Sequence, residues 1–145
     1  MRVMRSTRPP PSPALRLARR SWKLLHVDSP RAIDLADRAL ALAVAQEDRT
    51  AEGWACLSRG FHLLYFSTPD AAAPELTRSQ ACFDATGERA GHILARAGLA
   101  RGLWRAGHFG ASLEQVLPLR DEGLRVLAPD QRGLLLNTIA GCYSA

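Results

Sequence analysis

The residues best suited to metal or nucleophilic chemistry in this chain of 145 are three cysteines and four histidines, and their spacing assigns them to neither. Cys56, Cys82 and Cys142 are odd in number, far apart and inside stretches that read as helix, which makes them small buried hydrophobes of a reducing compartment. His26, His62, His92 and His108 form no His-x-x-x-His or Cys-His pairing, and no glycine-rich phosphate loop follows a strand, because no strand is evident. No catalytic, cofactor-binding or metal residue is assigned, no cofactor is expected, and the segment does not read as an enzyme.

Arginine is the remaining chemistry. The formal charge of +5 is unevenly placed: Arg2, Arg5, Arg8, Arg16, Arg19, Arg20 and Lys23 precede residue 24 with no acid among them, while the rest of the chain holds twelve basic and fourteen acidic residues. The basic balance thus belongs to the N-terminal stretch. Residues 1–13, with Pro9, Pro10, Pro11 and Pro13, read as a disordered basic tail, although an Arg-rich start without acids also mimics a transit peptide. A basic first helix leaves a nucleic-acid-associated regulator as the alternative to a protein-binding role. The slightly acidic body makes nucleic acid the less favoured partner.

The elements that must carry these residues are helical. Ala, Leu and Arg dominate, β-branched residues are scarce, and 47% hydrophobic with 23% charged residues is an ordinary globular balance. No apolar run reaches the roughly 18 residues of a membrane span, and no signal-peptide core follows Met1, which places the chain in the cytoplasm without a membrane partner. Seven helices can be laid out: Ala14 to Val27, a second opened by Asp28, Ser29 and Pro30 and running to Gln46, Thr50 to Ser67, Ala73 to Thr86, Glu88 to Ala106, Phe109 to Leu127, and one from Gln131 onward. Pro118 inside the sixth should kink it or divide it in two.

Within three of these helices a four-place pattern recurs. A large residue is followed by an apolar one three places on, a small one next, and a large apolar one three further. It reads Trp54, Leu57, Ser58, Phe61; then Arg96, Leu99, Ala100, Leu103; then Leu136, Ile139, Ala140, Tyr143. The closing residues lie 42 and 40 apart, a period that marks a stacked repeat. Leu15, Ala18 and Trp22 fit a divergent earlier copy, with Arg19 in the small place.

These residues resemble the first helix of a tetratricopeptide repeat, in a long-period form, since that family's usual unit is about 34 residues. The resemblance implies an all-α right-handed superhelix of antiparallel helix pairs, a TPR-like solenoid over residues 14–145 whose last repeat is incomplete. Long-period repeats of this kind precede effector domains in bacterial regulatory proteins. The implied function is therefore a protein-binding module, the sensory or regulatory N-terminal segment of a signalling protein such as a diguanylate cyclase. It further implies a concave binding groove lined by Arg20, Lys23, Arg59, His62, Arg101, Trp104 and Arg105, suited to an acidic peptide. Arg59 and Arg101 stand where the family's carboxylate-gripping groove has asparagine, so that particular specificity does not carry over. Finally, an apolar helix ending at Tyr143 without a partner predicts a further domain beyond it or a homodimer through that end. The alternative is a helix that folds back as a terminal cap on Leu134, Leu135, Leu136 and Ile139.

Overall fold

The computed structural model describes residues 9–144 and is all-α. Helix α1 spans Pro13–Leu24, α2 Ser29–Ala45, α3 Arg49–Phe66, α4 Pro69–Thr86, α5 Arg89–Arg105 and α6 Phe109–Val116; a 3-10 turn over Leu117–Leu119 leads to α7, Arg120–Val126, and α8 is Pro129–Tyr143. The expected break at Pro118 is therefore present, as a 3-10 turn between two short helices. Among the described residues no helix is long and apolar enough to cross a membrane.

Helices α1 to α4 each start on a side chain that satisfies an otherwise orphaned N–H group. Ser12 accepts from Leu15, Asp28 from Arg31, Asp48 from Ala51 and Thr68 from Ala71. These caps move several expected boundaries. Asp28 itself is the cap and not the stop, α3 begins under Asp48 and not at Thr50, and Thr68 with Pro69 in the first turn starts α4 four residues before Ala73, leaving Pro74 inside it. Of the expected tail, residues 1–8 lie outside the described residues, whereas Ser12 and Pro13 already form the start of α1. The Ser12 hydroxyl also donates to Asp48, tying the starts of α1 and α3 together.

Each helix packs on its neighbours in sequence, and α1 on α3, α3 on α5 and α5 on α8 in addition, whereas α2 and α4, or α4 and α6, make no substantial contact with each other. The chain is thus a solenoid-like stack of three hairpins and a closing helix. Helices α1, α3, α5 and α8 form a continuous row, and α2, α4 and α6–α7 flank it. The row helices begin at residues 13, 49, 89 and 129, close to the 40-residue period of the sequence.

What brings α3, α4 and α5 together is a set of four glycines. Phe83 of α4 lies against Gly53 of α3 and Gly91 of α5, where an added Cβ would come within 2.8 and 2.5 Å of its ring. One heptad away, Leu76 fits Gly60 and Gly98, with corresponding distances of 2.6 and 3.0 Å. Two large side chains seven residues apart thus enter two helices that each lack side chains at the matching two positions. Buried serines add a bond across each hairpin: Ser21 donates to the Ala32 carbonyl (2.7 Å), Ser79 to Gly53 (2.8 Å) and Ser112 to Ala100 (2.6 Å).

The recurring pattern meets three different fates. Trp54, Leu57, Ser58 and Phe61 are buried, as expected of a core stripe. In α5 the small residue of the pattern, Ala100, is fully buried together with Gly91, Ile93, Leu94, Ala95, Ala97 and Gly98, but Leu99 and Leu103 are only half-buried, because the glycines turn that side of the helix onto α4. In α8 Leu135, Thr138 and Ile139 are buried while Leu136 and Tyr143 are exposed. Leu135 presses against Gly123 of α7, so α8 packs on the last flank as well as on α5. Gly91→Ala should destabilise the protein by about 1–3 kcal/mol through overpacking. Gly102→Ala, whose Cβ would sit at an ordinary 3.5 Å from Pro69, should be neutral or stabilise by up to about 1 kcal/mol. Urea denaturation of the two variants measures the contrast.

Candidate functional site

Charge is divided between the row and its flanks. Helices α1, α3 and α5 carry ten basic residues and a single acid, Glu52, whereas α2, α4, α6 and α7 carry five basic and eight acidic residues. Ion pairs join the two sets where they face each other. Arg59 of α3 spans Asp37 of α2 (2.5 Å) and Glu75 of α4 (3.1 Å), Arg89 of α5 holds Glu122 of α7 through two bonds of 2.8 and 2.7 Å, and Glu52 receives Arg78 of α4 at 3.1 Å. The Arg89 hydrogen bond holds the Glu122 carboxyl below the ordinary value of 4.5. Burial pushes Glu52 upward, but the Cys82 thiol and Arg78 outweigh it, and the net displacement is again downward.

The seven residues expected to line one groove divide into groups. Arg20 and Lys23 lie exposed on α1, and with Arg16 and Arg19 they form a stripe at helical spacing with no acidic partner among the described residues. Arg59 is committed to its two carboxylates, on the side of α3 that faces α2 and α4. His62 lies against Phe66 at 4.9 Å between ring centres, and its Nδ1 is buried with no partner. Trp104 turns toward the end of the stack, donating to the Gly141 carbonyl at 3.0 Å and meeting Phe109 edge-on.

Arg101 and Arg105 remain together beside the end of α3. The Arg101 guanidinium stands 6.0 Å from the centre of the Tyr65 ring, a cation–π arrangement, and Arg105 donates to the Leu64 carbonyl in the last turn of α3. Tyr65 also meets, edge-on at 5.1 Å, the ring of His26 in the turn that follows α1. One aromatic ring thus joins a group from that turn to Arg101 of α5. It terminates a ladder of aromatic contacts that runs from Phe83 through Trp54, Trp22 and Phe61, with successive centres 5.2–6.2 Å apart. Burial raises the Tyr65 phenol and Arg101 pulls it back in part. Sequence reasoning missed His26 and Tyr65, although each stands four residues after a closing aromatic of the pattern, Trp22 and Phe61, on the same helical stripe.

A second concavity lies on the opposite side of α5. It is an open cleft of about 460 Å³ between α4 and α6, with Leu99, Gly102 and Leu103 as floor and Ala73 and Asp70 on the α4 wall. It exists because the wedge series ends there: beyond Leu76 the next heptad place on α4 is Pro69, and the facing residues Ala73, Gly102 and Ala106 are small.

Of the three free cysteines, Cys56 and Cys82 are buried and Cys142 is half-buried. Burial pushes the Cys56 thiol up to about 12, and Cys82, raised likewise, is bonded to Glu52 at 3.2 Å. Among the described residues no group of three or more His, Cys, Asp or Glu side chains could hold a metal ion. Comparison with known proteins finds no family model, no curated protein and no solved structure that this chain matches.

A carboxylate whose pKa is lowered by folding stabilises the fold above its unfolded value and loses that contribution as pH falls through the folded value. Stability should therefore decline on acidification below about 4.5, the ordinary value of Glu52 and Glu122. Arg89→Gln should lessen the decline, as read from urea midpoints between pH 3 and pH 6. An equally steep profile in that variant would show that the Arg89–Glu122 pair does not contribute.

Proposed function

We propose that this chain is a helical-repeat binding module whose row α1, α3 and α5 receives an acidic segment of a protein partner. The observation that carries the reading is the charge division: ten basic residues against one acid on the row, of which Arg59 and Arg89 are paired with carboxylates of the flanking helices. At the junction of the three helices Arg101 offers a fork for carboxylate oxygens, and Tyr65 adds a hydroxyl and an aromatic face. Lys23 extends the same polarity onto α1. Helix axes about 8–10 Å apart make an extended chain crossing α1, α3 and α5 a ligand of matching reach.

A second reading rests on the α1 stripe of Arg16, Arg19, Arg20 and Lys23, whose spacing suits phosphates of nucleic acid. The two differ in what they bind and where. A fluorescent Glu-rich peptide titrated against the full chain should bind in a salt-sensitive manner, and the double variant Lys23→Glu, Arg101→Glu should weaken it at least tenfold with the circular dichroism unchanged. Undiminished peptide binding by that variant removes the acidic-segment reading. Duplex DNA that binds with a steep salt slope, lost on replacing the α1 stripe but kept in Arg101→Glu, would establish the second one.

A further inference from the structure

We infer that the cleft between α4 and α6 is a docking site for an amphipathic helix of a partner protein, one that presents bulky apolar residues flanked by Lys or Arg. This surface is distinct from the acidic-segment surface proposed above. Leu99 and Leu103, which floor the cleft, are offset by two residues from Arg101 and Arg105, so they point from the opposite side of α5.

The shape of the missing occupant is written in the neighbouring contacts. Phe83 and Leu76 show how this part of the fold is filled, by large side chains of one helix entering places where α5 has glycine. At the cleft the glycine is still present, as Gly102, but the α4 places opposite it are Pro69 and Ala73. A Cβ built on Gly102 would meet nothing closer than 3.5 Å, where one on Gly91 would be 2.5 Å from a ring. The station is prepared for a side chain that the chain itself does not supply. Because α4 and α6 make no substantial mutual contact, a further helix can lie between them over α5, in the groove that two flanking helices leave.

Charge fixes the occupant's polarity. Asp70 is the one charged residue that lines the cleft, and neither Lys nor Arg lines it. The walls do not oppose this: α6 carries Glu114 and no basic residue, and on α4 Arg78 is paired with Glu52, Glu75 with Arg59 and Asp84 with His92, which leaves Asp70 as the acid at the cleft. An acidic helix would meet Asp70 unfavourably, whereas Lys or Arg beside the apolar anchor would pair with it.

Two designed helical peptides with the same Leu and Phe face, one flanked by Lys and the other by Glu, test this against the full chain by fluorescence anisotropy. The Lys-flanked peptide should bind at least tenfold more tightly than its counterpart. Gly102→Leu, which fills the cleft, should reduce that binding at least tenfold, and Asp70→Asn, which leaves the packing intact, should narrow the preference for Lys. Lys23→Glu, Arg101→Glu should leave it unchanged, which separates this surface from the other. Equal binding of the two peptides, or binding that survives both Gly102→Leu and Asp70→Asn, overturns the inference.

Discussion

The seating of Phe83 and Leu76 in two pairs of glycines is the contact on which the rest of this structure depends. It sets how closely α4 approaches α3 and α5, and it holds both helices at once, since each large side chain touches a glycine from each. Glycine inside a helix costs about 1 kcal/mol relative to alanine, and four of them in α3 and α5 are offset by the burial of a phenylalanine and a leucine that are fully removed from water. The same contact rotates α5. With Gly91 and Gly98 turned onto α4, the residues Leu99 and Leu103 lie half-buried beside that contact and form the floor of the cleft between α4 and α6. Arg101 and Arg105 are carried in the opposite sense, toward Tyr65 and the end of α3.

Electrostatics follow the same division of the helices. The flanking helices contribute acids that neutralise the row's arginines where the two sets meet, as at Arg59 and Arg89. Such pairs are partly exposed and add only modestly to stability. Their larger effect is on what is left over. Each carboxylate committed between the helices leaves the outward side of the row basic, so a chain with a modest overall charge has a strongly polarised surface.

Much of the fold was legible in the sequence, because helix propensity, caps and the 40-residue period all act locally. The break at Pro118 was legible for the same reason: a missing N–H has the same effect in any tertiary setting. The four-place pattern was a weaker guide. It located a buried stripe in α3, where Trp54 and Phe61 face α1, but periodicity gives an apolar face and not its orientation in the stack, so in α5 and α8 only Ala100 and Ile139 of the two copies are buried. The better signal was present and smaller: Gly53 and Gly60 recur 38 residues on as Gly91 and Gly98. Of the seven residues expected in one groove, the proximity of Arg101 and Arg105 follows from their spacing of one helical turn. The place of Arg59 could not be read, because its destination depends on Asp37 and Glu75, which neighbour it only after folding. His26 and Tyr65 were hidden by their types, a histidine and a tyrosine that look like ordinary helix surface until the aromatic ladder is assembled.

The interruption at Pro118 has a mechanical side. Helix α7 is locked to α8 where Leu135 fills the space at Gly123, but α6 is a rod of eight residues joined to α7 by a 3-10 turn. Two of its residues are fully buried: Val116, which enters the core, and Ser112, which donates to the Ala100 carbonyl and accepts from the Cys142 thiol at 3.2 Å. The break at Leu117–Leu119 lets the last flank change direction, so that α6 stays seated on α5 while α7 reaches the closing helix α8.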